Sequence, residues 1–190
     1  MSIFGSDKLK GKKIAIVATD GFEQSELEEP KKYLEGEGAE IHVISLKSGS
    51  INGWDEKDWG SKVAVDKTID EVSAADYDAL VLPGGQMNPD VLRTEKKVVA
   101  FAADFMRSGK VVAAICHGPW TLIETGLLRG HNVTSWPSLQ TDLTNAGAYW
   151  QDSEVVVDKG LITSRKPQDL PAFNKKIMEE ILEGKHAPRS

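Results

Sequence analysis

The sequence predicts one α/β domain built on a largely parallel sheet with helices on both faces. Three observations predict it. Short apolar runs alternate with stretches of helical periodicity. The runs are near-continuous, as strands buried on both faces require. Polar or glycine-bearing turns follow the runs and lead into helices, the order expected of repeated strand–helix units.

Residues 13 to 19 (KIAIVAT) form the first apolar run, a buried strand. Residues 24 to 37 carry a helical pattern, and Pro30 within it implies a kink or a restart. Residues 40 to 46 (EIHVISL) read as a second strand. The stretch from Lys47 to Asp66 is rich in Gly, Ser and Trp and fits an irregular excursion or a small hairpin ending in Val63 and Val65. Residues 77 to 83 (YDALVLP) form another buried strand. The next helix has Val98, Phe101, Ala102, Phe105 and Met106 on one face, with Gly109 placed to stop it.

Residues 110 to 116 (KVVAAIC) are again a short apolar run, and Pro119 suits the first turn of a helix. Residues 154 to 163 read as a hairpin turning near Lys159 and Gly160. The last helix carries Leu170, Phe173, Ile177, Ile181 and Leu182 at helical spacing, with Pro171 near its start and Gly184 near its end. No repeat or linker interrupts the series. Residues 1–11 are expected as a flexible leader and 12–186 as the single domain.

A chain of 190 residues can bury a core without disulfide or metal support. Its net charge of −6 argues against nucleic acid or an anionic membrane as the main partner. No apolar run is long enough to span a bilayer. A single cysteine excludes an intrachain disulfide and paired-cysteine zinc patterns, and it suits the cytoplasm. No metal or cofactor motif is present, so neither is expected.

In open α/β sheets, sites lie beyond the carboxyl ends of the strands. Three turns should meet there: Asp20-Gly21-Phe22-Glu23, Pro83-Gly84-Gly85 and Cys116-His117-Gly118-Pro119. Cys116 ends an apolar strand, and Gly118 and Pro119 force a tight turn into a helix. This is the layout of a nucleophile elbow, with cysteine in place of serine. The competing reading is a buried thiol acting as a small apolar residue.

His117 could curl back as a base or offer its N–H to an oxyanion, or simply start a helix. Gly84 and Gly85 could bring amides close to a substrate, or form an ordinary turn. Glu23 is the carboxylate nearest the expected site, although a helix N-terminus alone would favour it. Asp90 fits an N-cap or an acidic partner for His117. Trp120 lies one turn from the elbow and is a candidate pocket residue. Trp54 and Trp59 are candidates for an interface. His42 is expected within a strand as a packed or edge residue, and His131 and His186 at the surface.

The combination of DGFEQSEL (20–27), ALVLPGG (79–85), AICHGPW (114–120) and TSRKPQDLPAF (163–173) resembles the ThiJ/PfpI superfamily. It looks most like the PfpI-type intracellular cysteine proteases and their bacterial stress-protein relatives. The resemblance runs from Lys13 to about Leu182. It implies a flavodoxin-like three-layer sandwich related to class I glutamine amidotransferase domains. It further implies Cys116 as nucleophile, His117 as its partner, Glu23 as the carboxyl touching the sulfur, and Gly85 and His117 as oxyanion-hole amides.

In PfpI-type members a neighbouring subunit supplies the third acid, so the resemblance implies a homo-oligomer. Asp90 matches that position, with Asp where some members have Glu and one more residue after the glycine pair than in the archaeal type. The implied activity is hydrolysis of small peptides or removal of methylglyoxal-type glycation adducts from Cys, Lys and Arg. The alternative is a non-enzymatic stress protein, a redox sensor or chaperone, whose Cys116 is oxidised.

Overall fold

The structure, a computed structural model, describes residues 6–190. The first five residues of the expected leader lie outside that range. Within its remainder, Leu9 is anchored to the domain. Leu9 is fully buried in the core, and its N–H donates to the Glu37 carbonyl at 2.7 Å.

The elements follow in chain order. They begin with β1 (Lys13–Val17), β2 (Phe22–Glu23), α1 (Gln24–Gly36) and β3 (Glu40–Ser45). Next are β4 (Ser50–Asp55), β5 (Asp58–Ala64), β6 (Lys67–Thr68) and β7 (Ala79–Leu82). Then come α2 (Met87–Leu92), α3 (Lys96–Ser108), β8 (Val111–Ile115) and α4 (Pro119–Ile123). The chain continues through β9 (Asn132–Val133), α5 (Gln140–Asn145) and β10 (Tyr149–Trp150), and ends with β11 (Val156–Asp158), β12 (Leu161–Ser164) and α6 (Leu170–Glu183).

Seven strands form the main sheet in the order β11-β12-β8-β7-β1-β3-β6. All its pairings are parallel except the β11–β12 hairpin. Alternation along each strand divides the core into two layers. Ile14, Ile16, Val81 and Ala113 face Leu27 and Leu34 of α1 and Phe173 and Ile177 of α6. Ala15, Val17, Leu80 and Val112 face Val98, Phe101 and Phe105 of α3. The expected three-layer sandwich is therefore present. Because β3 and β7 flank β1 on opposite sides, the chain reverses direction at β1, and the carboxyl edge beside it forms a crevice.

Some of the remaining readings hold and others change. Pro30 does not restart α1, which is one helix over Gln24–Gly36. The 47–66 excursion is an antiparallel hairpin, and β4 pairs in parallel with β2 to make a separate three-stranded sheet. Trp54 and Trp59 pair across it edge to face, with centroids 5.5 Å apart. His131 is buried and half-buried His186 meets Glu180 at 3.0 Å, so neither is a free surface histidine. His42 is partly buried in β3 and meets the Tyr77 hydroxyl at 2.9 Å.

The packed domain also extends past residue 186. Arg189 is buried, and its guanidinium donates to the carbonyls of Lys159, Phe105 and Lys110.

Candidate active site

The site begins with a strained turn. Cys116 directly follows β8 and holds φ at +61°, a left-handed conformation that a side-chain-bearing residue rarely adopts. Backbone bonds fix it on both sides. Its N–H donates to the Ser164 carbonyl on β12 at 3.0 Å, and its carbonyl accepts the Trp136 N–H at 3.0 Å. Gly118 closes the turn because nothing larger fits: a Cβ there would lie 2.4 Å from the Leu82 carbonyl oxygen.

The carboxyl that reaches the sulfur is Glu26, not Glu23. Glu26 lies in the first turn of α1, fully buried, and its carboxyl and the Cys116 thiol lie close enough to act on each other's protonation. Its Oε1 accepts the Gly84 N–H at 2.9 Å. Its Oε2 is buried with no hydrogen-bond partner among the described residues. Burial, with the nearby charge of Glu23, raises its pKa from 4.5 to about 8. Glu26 is therefore mostly protonated at neutral pH and can donate to sulfur.

Glu23 immediately precedes α1 and is half-buried. Its pKa is raised by burial and then by the charges of Asp55 and Glu56. Glu23 acts on the thiol only through its field.

Burial pushes the Cys116 thiol well up, and an ionised Glu26 pushes it further. Backbone N–H groups of Gly85 and His117 donate to the sulfur and oppose the shift. Once Glu26 holds its proton, its charge no longer opposes the thiolate. Gly84 must be small here, because a Cβ would stand 2.5 Å from Glu26 Oε1 and 2.7 Å from Cys116 Cβ.

His117 Nδ1 lies 3.2 Å from Cys116 Sγ. Burial lowers the ring's pKa from 6.5 to about 4, so it is neutral at pH 7 and able to accept the thiol proton. Trp120 meets the ring edge to face at 5.1 Å, and Trp136 stacks over it at 6.0 Å. Its Nε2 is buried with no partner among the described residues. Asp90 does not fill that position. It is exposed within the first turn of α2, which also rules out the N-cap role. The chain thus brings together thiol, imidazole, carboxyl and two amides, but no cis triad among the described residues.

Three positions placed beside Cys116 or its glycine turn escape a linear reading. Glu26 shares the inward face of α1 with Leu27, Pro30 and Leu34. A carboxylate on an apolar stripe was the available signal. Asn88 is fully buried and ties the glycine turn to β1's end. It accepts the Thr19 N–H at 2.8 Å and donates to the Pro83 and Gly84 carbonyls at 3.0 and 3.1 Å. No local signal separates it from a turn asparagine. Trp136 comes to the elbow only through tertiary folding.

Two clefts lie away from Cys116, one of about 520 Å³ between α1 and β5 and one of about 380 Å³ beside α3. One described cluster, Glu180, Glu183 and His186 at the end of α6, has metal-ligand spacing, and none of its members belongs to the Cys116 site.

The sequence model of the DJ-1/PfpI family matches residues 12–180. The chain belongs to the DJ-1/PfpI family. Among its relatives in that family is the Escherichia coli protein named protein/nucleic acid deglycase 2. The two are 46% identical over 169 residues, 88% of this chain and 96% of that one. A Bacillus subtilis relative, which carries the provisional name cysteine protease YraA, is 45% identical over 168 residues, again 88% and 96% of the two chains. A solved two-domain protein from Anabaena variabilis, containing DJ-1/ThiJ/PfpI-like and ferritin-like domains, superposes with a TM-score of 0.85 at 38% identity. That match covers 90% of this chain and 48% of the larger one.

Proposed function

We propose that this DJ-1/PfpI protein is a stress-response cysteine hydrolase. Cys116 is its nucleophile, and small peptides or methylglyoxal-type glycation adducts on amino-acid side chains are its substrates. The observation that carries the reading is the surroundings of Cys116. A strained elbow presents the thiol to a neutral imidazole, a protonated carboxyl and two N–H donors. An inert core thiol requires none of these. The relatives' names supply the substrate classes.

In the mechanism, His117 Nδ1 takes the thiol proton as sulfur attacks the carbonyl-derived carbon. The Glu26 O–H and the Gly85 and His117 N–H groups stabilise the negative charge, first on sulfur and then on an oxygen entering beside it. For a peptide, the C–N bond breaks, the amine leaves with the proton held by His117, and water hydrolyses the thioester. Gly84 and Trp120 border the pocket.

The third acid comes from a second copy of the chain. His117 Nε2 has no cis partner, and exposed Met87 and Val91 flank Asp90 on α2, giving an apolar face around an acid. Trp59, also exposed on the hairpin, extends the surface available for assembly. No described helix is long and apolar enough to cross a membrane. We assign the protein to the cytoplasm.

The test is Cys116→Ser, assayed on peptides and on methylglyoxal adducts. Loss of all turnover is expected, and survival of both activities would overturn the nucleophile. A fully active monomer in light scattering at micromolar concentration would overturn the shared acid.

A further inference from the structure

The end of α6 gathers three metal-ligating side chains that the chemistry at Cys116 does not use. Glu180 and Glu183 fall at i and i+3 in the last turn and so share one face of the helix. Gly184 ends the helix at φ +95°, and the chain turns there so that His186 comes back beside them. One ligand atom from each residue lies within 4.8 Å of the others.

His186 is held there by the fold. Its backbone N–H donates to the Gly109 carbonyl at 2.8 Å. Its ring lies against Gly160, where a Cβ would stand 2.5 Å from the ring Cδ2. Buried Arg189 anchors the same tail through the carbonyls of Lys159, Phe105 and Lys110. The imidazole is thus already ordered beside α6, which spares an incoming ion much of the entropic cost of assembling its ligands.

The cluster does not satisfy itself. His186 Nε2 is buried and 3.0 Å from Glu180 Oε2, yet it makes no hydrogen bond, so the ring nitrogen's axis misses that oxygen. Glu180 is only 8% exposed. Among the described residues, that same off-axis nitrogen is the one cationic group within ion-pair distance of it. Burial, and then the charge of Glu183, raises the Glu180 pKa. Lys175 and Lys176 pair with Glu179 instead, and exposed Lys185 is not among the charges acting on Glu180. The carboxyl end of a helix is also the negative end of its dipole, and the last turn of α6 holds no basic residue.

We propose that Glu180, Glu183 and His186 form a binding site for a zinc-class divalent cation, which fastens the chain after Gly184 to α6. One imidazole nitrogen and two carboxylate oxygens suit Zn²⁺, whereas Mg²⁺ and Ca²⁺ prefer oxygen ligands alone. The ion takes the Nε2 axis that Glu180 misses and cancels the repulsion between the two carboxylates. Exposed Glu183 can rotate inward as the third ligand, and water completes the shell. The site adjoins the start of β8, the opposite end of that strand from Cys116, and does not depend on the hydrolase reading.

The test is calorimetric titration of Zn²⁺ into untagged Cys116→Ser protein, in which the thiol is removed as a competing ligand. One equivalent should bind. Glu183→Gln and His186→Gln should each weaken that event by at least the roughly tenfold that loss of an outer-shell partner costs. Mg²⁺ at the same concentration should not compete. Absence of binding, unchanged binding in both variants, or equal competition by Mg²⁺ would overturn the site. His186→Gln can loosen the tail, but Glu183→Gln alters only an exposed carboxylate, so its zinc affinity decides the matter in a folded protein.

The His186 ring is also followed by NMR, its signals identified by their absence in His186→Gln. Zn²⁺ should shift them in the Cys116→Ser protein and leave them in place once Glu180→Gln and Glu183→Gln are added. A ring that does not respond while zinc binds would place the ion elsewhere and overturn the assignment.

Discussion

Replacing the Glu26 carboxyl by an amide removes one titration and little volume. In Glu26→Gln the side-chain oxygen can still accept the Gly84 N–H, held at 2.9 Å in the parent. In the unfolded chain Glu26 loses its proton near 4.5, and in the folded protein it keeps it up to about 8. Between those values the folded state holds more protons, so stability must fall as pH rises. This contribution is complete below the unfolded pKa and is lost as pH passes through the folded one. At about 1.4 kcal/mol per pH unit the loss across the interval is on the order of 5 kcal/mol.

Urea unfolding of both proteins from about pH 4.5 to 8.5 reads the effect as a difference of two curves. The groups common to both largely cancel in that difference. Wild type should lose stability relative to Glu26→Gln by several kcal/mol as pH rises, about 2 kcal/mol of it between pH 6.5 and 8. The turnover profile should follow. Wild-type kcat/KM should decline above about pH 8 as an ionised Glu26 opposes the thiolate, and the variant should lack that decline. Parallel stability curves would refute the claim that Glu26 carries a proton at neutral pH, and with it the donation to Cys116.

Three other outcomes follow from the geometry. Cys116→Gly should be more stable than Cys116→Ala by about 1 kcal/mol in thermal or urea unfolding, because only glycine adopts the left-handed turn without strain; both should be inactive, and the reverse order of stability would contradict the strained elbow. Followed by NMR, the His117 ring should remain neutral down to about pH 5, consistent with its pKa near 4. Titration of that ring near its ordinary value would contradict a buried, neutral base. Asn88→Ala removes three hydrogen bonds and leaves the Thr19 N–H without its partner, at a cost of about 2–4 kcal/mol, and should lower kcat by loosening the glycine turn. Unchanged stability and kcat would show that these three bonds do not position the site.

The strands were legible because burial on both faces leaves near-continuous apolar runs, as in KIAIV and VVAAI. The elbow was legible because Gly118-Pro119 after such a run admits few other conformations. The hairpin of β4 and β5 was ambiguous, since β5 is exposed along nearly its whole length and carries little periodic signal. Glu23 stands closer than Glu26 to the strand end along the chain, so a linear reading favours it. Position along the chain does not determine which carboxyl turns inward. The helix does: Glu26 falls on the buried face with Leu27, Pro30 and Leu34, and Glu23 falls before the first turn. Trp136 could not be placed from sequence, because it reaches His117 through the fold of the segment after α4.

The electrostatics of the site follow from the same burial. Cys116, His117 and Glu26 share one largely dehydrated patch, where three charges could not coexist cheaply. Burial lowers the imidazole to about 4 and raises the carboxyl to about 8, so both are neutral at pH 7. The one charge the patch is arranged to receive is the negative charge that develops on sulfur. The N–H groups of Gly85 and His117 already favour it and a protonated Glu26 stands beside it, so little must reorganise when it forms. This separates the role of Glu26 from that of a general base. A carboxylate there would raise the barrier, whereas a carboxylic acid lowers it. The acid missing from His117 Nε2 has the opposite task, stabilising the imidazolium after proton transfer, and our proposal gives that task to Asp90 of a second copy.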